Sequence, residues 1–214
     1  MARITNKHSK LQIHGIVGEV VIVNWKGGTY LRKKPNTVKS KRTEAQIKQQ
    51  AKFSLMFDFL RDMNPFLKIG FSNEAKAKTA LNAAMSFNLS NAIAENENGY
   101  YIDYQKVLLS YGSLNFVDNI SVEIFSNNML KLNWIDNSGI NNALSSDFAI
   151  IACFADDYKN CIINTTGNQR SAGFQEIALP DNFFKDKIHL FLSFVSADKK
   201  RISKSRYFEI QIEV

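Results

Sequence analysis

Seven cationic side chains, Lys26, Arg32, Lys33, Lys34, Lys39, Lys41 and Arg42, follow one another without an intervening acid, and Trp25 and Tyr30 stand among them. Such a segment repels itself and must find counterions or an anionic partner. Two chemistries fit these residue types. On a nucleic acid the cations contact phosphates while the two rings lie close enough to stack on bases. On a protein surface Trp25 is the buried anchor and the cations form a polar rim around it. A third reading, a solvated charged face, asks for no partner at all.

The remaining chemistry-bearing residues are scattered. His8, His14 and His189 are far apart, and no HExxH pattern surrounds them. Cys153 and Cys161 fit no zinc or redox spacing; they read as two small apolar residues on neighbouring strands, with a disulfide as the alternative. Asp156-Asp157 lies between two expected strands, where turns favour such residues over calcium or catalytic work. No Ser-His-Asp order, P-loop or G-x-G-x-x-G is present, and Gly27-Gly28 lacks the further glycine and the helix that a phosphate cradle needs. The chain is therefore expected to be no enzyme, to hold no metal or cofactor and to take no small-molecule substrate.

Charge is unevenly distributed. The net charge is +7, but residues 1–70 hold 14 Lys and Arg against 4 acids, while residues 71–214 hold 13 against 16. The basicity belongs to the N-terminal end. At 214 residues and 45% hydrophobic content the chain can build one large or two small cores. Its apolar runs stop well short of the roughly 20 residues that span a bilayer. No apolar stretch follows the charged start M-A-R-I-T-N-K-H-S-K, so a secretory signal is not expected and the setting reads as cytoplasmic or particle-associated.

The elements that must position these residues can be read from periodicity. From Gly15 the run I-V-G-E-V-V-I-V-N-W, rich in β-branched residues from Ile16 to Val23, reads as a strand. Lys26-Gly27-Gly28 supplies a tight turn, and Thr29-Tyr30-Leu31 returns as a hairpin. Pro35 to Arg42 reads as an extended linker. Thr43 and Gln46 form a capping box for a helix over 43–62, whose apolar stripe runs Ile47, Ala51, Leu55, Phe59. Asn64-Pro65 breaks that helix, and a second is expected from Ser72 or Asn73, with Ala77, Ala80, Leu81, Ala84 and Met85 on one face. After Tyr101 the period changes to two. Strands are expected at Ile120–Phe125, Met129–Ile135, Phe148–Ala155, Cys161–Thr165, Phe174–Leu179, Ile188–Val195 and Tyr207–Val214. In the last of these Phe208 and Ile210 alternate with a wet face of Tyr207, Glu209 and Gln211.

The segment L-K-L-N-W-I-D, Leu130 to Asp136, resembles strand B of fibronectin type III domains, in which alternating apolar residues lead to a core tryptophan, here Trp134. The tyrosine expected near strand F is missing from K-I-H-L-F-L-S-F-V. Over nearly the whole chain the order of M-A-R-I-T-N, G-x-V-G-x-V-V-x-x-x-W-K-G, F-L-K-I-G-F, A-L-N-A-A-M-S-F-N-L and W-x-D-N-S-G is similar to an uncharacterised family of Bacteroidetes proteins of about this length, with a departure at Ile13-His14. The W-K-G, R-x-x-P and T-x-x-Q pattern also resembles small proteins of phage genomes.

The expected architecture is α+β: a basic N-terminal arm with a β-hairpin over 1–42, two helices over 43–100, and a seven-stranded Ig/fibronectin III-like β-sandwich over 101–214. The apolar content of Ile16 to Val23 exceeds what phosphate binding requires, and the body carries the opposite charge. The expectation is accordingly a non-enzymatic assembly subunit, of a phage or phage-like particle, that self-associates or meets other particle proteins through Trp25, Tyr30, Arg32, Lys33, Lys34, Lys39, Lys41 and Arg42. The alternative is a nucleic-acid-binding protein using the same cations.

Overall fold

A computed structural model describes residues 2–4, 14–25, 28–35, 41–125, 128–155, 161–180, 183 and 187–211. The chain divides into two units, Met1–Thr43 and Glu44–Val214. The first is a four-stranded antiparallel sheet of β1 (Ala2–Ile4), β2 (Gly15–Val17), β3 (Val20–Trp25) and β4 (Gly28–Lys33), in the order β1-β4-β3-β2. The single strand expected from Ile16 to Val23 is thus two strands. Gly18 takes φ 59° at the first position of a two-residue turn, the place a type II′ hairpin reserves for glycine, and Val17 pairs with Val20. The β-branched run conceals this turn because both arms favour extended backbone.

In the second unit the helical part differs from expectation. Among the described residues there are three α-helices, α1 (Glu44–Asp62), α2 (Asn64–Gly70) and α3 (Ala80–Asn91). Asn64-Pro65 ends α1, as expected, but it also starts α2, because proline at the head of a helix lacks only an N–H that has no partner there anyway. Residues 72–78 are turns rather than the start of the next helix, and α3 begins after Thr79, whose side chain accepts from Asn82 N at 3.1 Å. The sequence Asn96-Glu97-Asn98-Gly99 closes a hairpin of β5 (Ile93–Asn96) and β6 (Gly99–Ile102).

The β region consists of β7 (Asp118–Phe125), β8 (Met129–Ile135), β9 (Phe148–Ala155), β10 (Ile162–Asn164), β11 (Phe174–Ala178), β12 (Lys187–Val195) and β13 (Arg206–Gln211). They form one antiparallel sheet in the order β11-β8-β7 and a second in the order β10-β9-β12-β13. Leu130, Leu132, Trp134 and Ile177 of the first share a buried cluster with Ile151, Cys153, Leu190, Leu192 and Phe194 of the second. The opposite face of the four-stranded sheet, through Ile150, Ala152, Phe154 and Phe191, packs on Met56, Phe59, Leu60, Phe66 and Ala84 of the helices. That sheet is covered on both sides, which is why β9 reads F-A-I-I-A-C-F-A instead of alternating. Among the described residues no helix is long and apolar enough to cross a membrane.

Candidate interaction surface of the N-terminal sheet

The β3–β4 ladder fixes where the sequence-identified residues lie. Trp25 pairs with Gly28 at one end of the ladder, Val23 with Tyr30 in its middle, and Val21 with Arg32 and Val20 with Lys33 at the other end. Five residues separate the Trp25 and Lys33 levels, roughly 17 Å of strand. Arg32 and Lys33 therefore lie at the far end of the ladder from the tryptophan position. Arg32 and Lys33 also fall on opposite faces, since successive side chains of a strand alternate.

Gly28 is the first residue of β4, with an ordinary φ, and not the positive-φ turn residue expected of it. Its hydrogen matters for a different reason. A Cβ there would lie 3.0 Å from the Tyr30 ring, which folds back along its own strand over Gly28. Tyr30 is half-buried in this position. The neighbouring pair is held by Thr29 Oγ1 donating to Asn24 Oδ1 at 2.7 Å.

At the far end of the sheet apolar and cationic groups mix. Val17, Val20 and Lys33 are cross-strand neighbours on one face, and Ile16, Val21 and Arg32 on the other. Ile16 is 62% and Val17 66% exposed, values unusual for β-branched strand residues. Lys34, whose N–H donates to Glu19 O at 2.7 Å, is exposed beside them; Lys41 and Arg42, ahead of α1, are exposed as well. Among the described residues none of Arg32, Lys33, Lys34, Lys41 and Arg42 forms an ion pair. Lys39 and the Lys26-Gly27 turn lie outside the described residues, as does Asp156-Asp157.

In the Glu44–Val214 unit three polar arrangements escaped the sequence reading. Arg170 and Asp147, both fully buried, pair at 3.2 Å. The guanidinium also donates to Asn137 Oδ1 at 2.6 Å and Asn115 O at 2.8 Å, and it lies 4.6 Å over the Phe194 ring. Burial lowers the Arg170 pKa while Asp147 opposes that shift. The partners are far apart in sequence and no spacing announces them. Asn88, buried within α3, bonds both backbone groups of Leu108, accepting from its N–H at 2.8 Å and donating to its carbonyl at 2.9 Å.

The third lies on the strand expected to have a wet face. Tyr207 is instead packed against Tyr104, His189 and Phe191. Its hydroxyl donates to Glu209 Oε2 at 3.2 Å and lies 2.7 Å from His189 Nδ1. Burial and then the Glu209 carboxylate raise the Tyr207 pKa; the Lys187 ammonium, 3.1 Å away, is the main cause lowering that of Glu209. A groove of about 660 Å³ runs beside these residues, between β13 and the segment Gln105 to Leu108. The alternation of Tyr207 and Glu209 with Phe208 and Ile210 was the available signal, but it cannot reveal that Tyr104 covers the polar side.

The two cysteines serve no redox chemistry together. Cys153 pairs with Ile162 and sits between the sheets, whereas Cys161 packs on the helical side, its thiol 3.6 Å from Asp62 O. Burial pushes the Cys153 pKa up to about 12 and raises that of Cys161. Among the described residues no group of three or more His, Cys, Asp and Glu could hold a metal ion.

Comparison with known proteins adds one result. The chain belongs to a family of unknown function, DUF6266, whose model matches residues 12–209. No curated protein matches it.

Proposed function

We propose that the chain is a non-enzymatic assembly subunit, of the kind that builds phage-like particles, whose N-terminal sheet docks on a neighbouring subunit. One observation carries this reading: the N-terminal sheet leaves Val17 and Val20 exposed on one face and Ile16 on the other, next to Lys33 and Arg32, which form no ion pair among the described residues. An apolar patch on a sheet is stabilised when another layer covers it, and Val17 and Val20 offer a neighbouring subunit such a patch on one face. The charge difference supports a protein target, because residues 71–214 are net acidic. The Glu44–Val214 unit serves as the scaffold, and we read its β7–β13 part as an Ig/fibronectin III-like sandwich. Support for that is the strand order, in which the first, second and fifth strands share one sheet and the third, fourth, sixth and seventh the other.

Sedimentation of the full chain against a chain lacking residues 1–42 tests the proposal. The truncated chain stays folded and associates more weakly; equal association of the two overturns the reading. Trp25→Ala raises the dissociation constant about 30-fold, equivalent to roughly 2 kcal/mol on the interface hot-spot scale.

That Arg32, Lys33, Lys34, Lys41 and Arg42 form no ion pair among the described residues favours a second reading, contact with nucleic acid. In that case log affinity for duplex DNA falls linearly with log salt, by about 0.9 per phosphate contacted. The paired change Lys33→Glu with Lys34→Glu then weakens binding to every sequence. Absence of binding at low salt eliminates this alternative.

A further inference from the structure

The Glu44–Val214 unit carries two exposed surfaces of opposite charge, separate from the N-terminal sheet. The first is the loop end beyond Val195. Here the connection from β12 to β13 presents Lys199, Lys200 and Arg201 in a row, with the Lys200 side chain 82% exposed and its ammonium 3.7 Å from Asp198 Oδ2, so the turn keeps a net positive charge. Lys199 holds φ 57°, and Asp198 is occupied within the turn, accepting from Ser196 Oγ at 2.6 Å and Lys200 N at 3.1 Å. Arg201 donates to Asn142 O at 3.3 Å, which ties this turn to the β8–β9 connection. Asn142 in turn bonds Ser113 O and Asn115 N, so three segments are fixed into one surface. Beside the cations it exposes Ile140 and Leu144, 55% and 49% accessible.

The second surface is the β5–β6 hairpin. Its tip carries exposed Glu95 and Glu97, its outer side Tyr101 is 46% exposed, and Asn96 Oδ1 accepting from Asn98 N closes the turn. Among the described residues neither glutamate has an ion-pair partner. The hairpin leaves the body at Asp103, immediately before Tyr104, whose ring lies 4.7 Å from that of His189. His189 is six residues along β12 from Val195, roughly 20 Å of strand. The loop end and the hairpin root are therefore at different ends of β12 and cannot cover each other within one molecule.

We infer that a second copy of this chain covers them, the cationic loop end of one molecule docking on the acidic hairpin of the next. Lys199 and Lys200 meet Glu95 and Glu97, and Ile140 and Leu144 supply the apolar contact beside them. A copy of the chain carries both halves of the complement, which no unrelated partner is bound to do. Because the two surfaces differ, the contact is head to tail and leaves one of each free at the ends, so it propagates to rings or filaments. It is independent of the N-terminal sheet.

Charge reversal in the full-length chain tests this by sedimentation velocity over a concentration series at low salt. Glu95→Lys with Glu97→Lys, and separately Lys199→Glu with Lys200→Glu, each weaken association roughly tenfold or more, because like charges now face one another. An equimolar mixture of the two variants regains association, since the reversed hairpin of one matches the reversed loop of the other and the two unreversed surfaces match each other as in the wild type. This rescue persists when both variants also carry Trp25→Ala, which separates it from docking through the N-terminal sheet. Association of either variant at the wild-type level, or a mixture that sediments no faster than its components, overturns the inference.

Discussion

Arg170 is wholly buried, yet its guanidinium is fully engaged, and this sets what its removal costs. Asp147 Oδ2 accepts both from Arg170 and from Leu144 N at 2.8 Å, while Asp147 Oδ1 has no hydrogen-bond partner among the described residues, so this carboxylate depends on the guanidinium for its compensation. Arg170→Ala is expected to cost about 3–5 kcal/mol in urea unfolding, whereas Arg170→Met combined with Asp147→Leu costs far less because no buried charge is stranded. Asn88→Ala strands the N–H and C=O of Leu108 instead, at about 1–3 kcal/mol for each group. At the surface, Glu209 has a lowered pKa in the folded chain. Its contribution is present above its unfolded pKa near 4.5 and disappears as pH falls through the folded value. An acid titration of stability followed by circular dichroism is expected to show a shallower decline below pH 4.5 in Glu209→Gln. Arg170, Asp147 and Asn88 were not identified from sequence, because long-range polar partners leave no periodic trace.

Elements were legible where local chemistry and burial agree. Met129–Ile135 and Phe148–Ala155 form strands at the bounds that their residues indicate. The helix following Thr43 is also present, but its expected stripe is buried only from Met56 onward, and Ile47 remains 54% exposed. Amphipathic spacing reports which face can be buried, not how far along the helix a partner reaches. The joints between elements were the least legible, since they are set by close backbone approach. At the end of α2 a Cβ on Gly70 would lie 2.1 Å from Leu109 O, and one on Gly112 would lie 2.2 Å from Ile202 O. Neither glycine needs a positive φ, so nothing local marks it. Gly70→Ala and Gly112→Ala are each expected to lower stability by about 1–3 kcal/mol, read from urea midpoints, as the backbone shifts to admit the methyl group.

At the scale of the whole chain, the charge asymmetry visible in composition coincides with a division between two units. Residues 1–43 hold 10 Lys and Arg against the one acid Glu19, and the contact boundary falls after Thr43. Brief proteolysis is expected to cut first among exposed residues 41–51 and to release a fragment whose far-UV spectrum and cooperative unfolding persist, because its two buried clusters are built from residues 56 onward. Loss of cooperative unfolding in that fragment would show that the N-terminal sheet contributes to the same fold. The placement of α1 to α3 on the sheet was not legible, as a strand buried on both faces shows only a continuous apolar run.

That double covering also orders the molecule in time. From Ile188 to Val195 β12 has no exposed residue, its neighbours β9 and β13 flank it on either edge, and helices and a second sheet lie above and below. Its amides can meet solvent deuterium only when the Glu44–Val214 unit opens as a whole, whereas those of the exposed β5–β6 hairpin exchange by local fraying. Deuterium uptake at β12 therefore acts as a clock for global opening, and a ligand or partner that slows it has been bound by the entire folded unit.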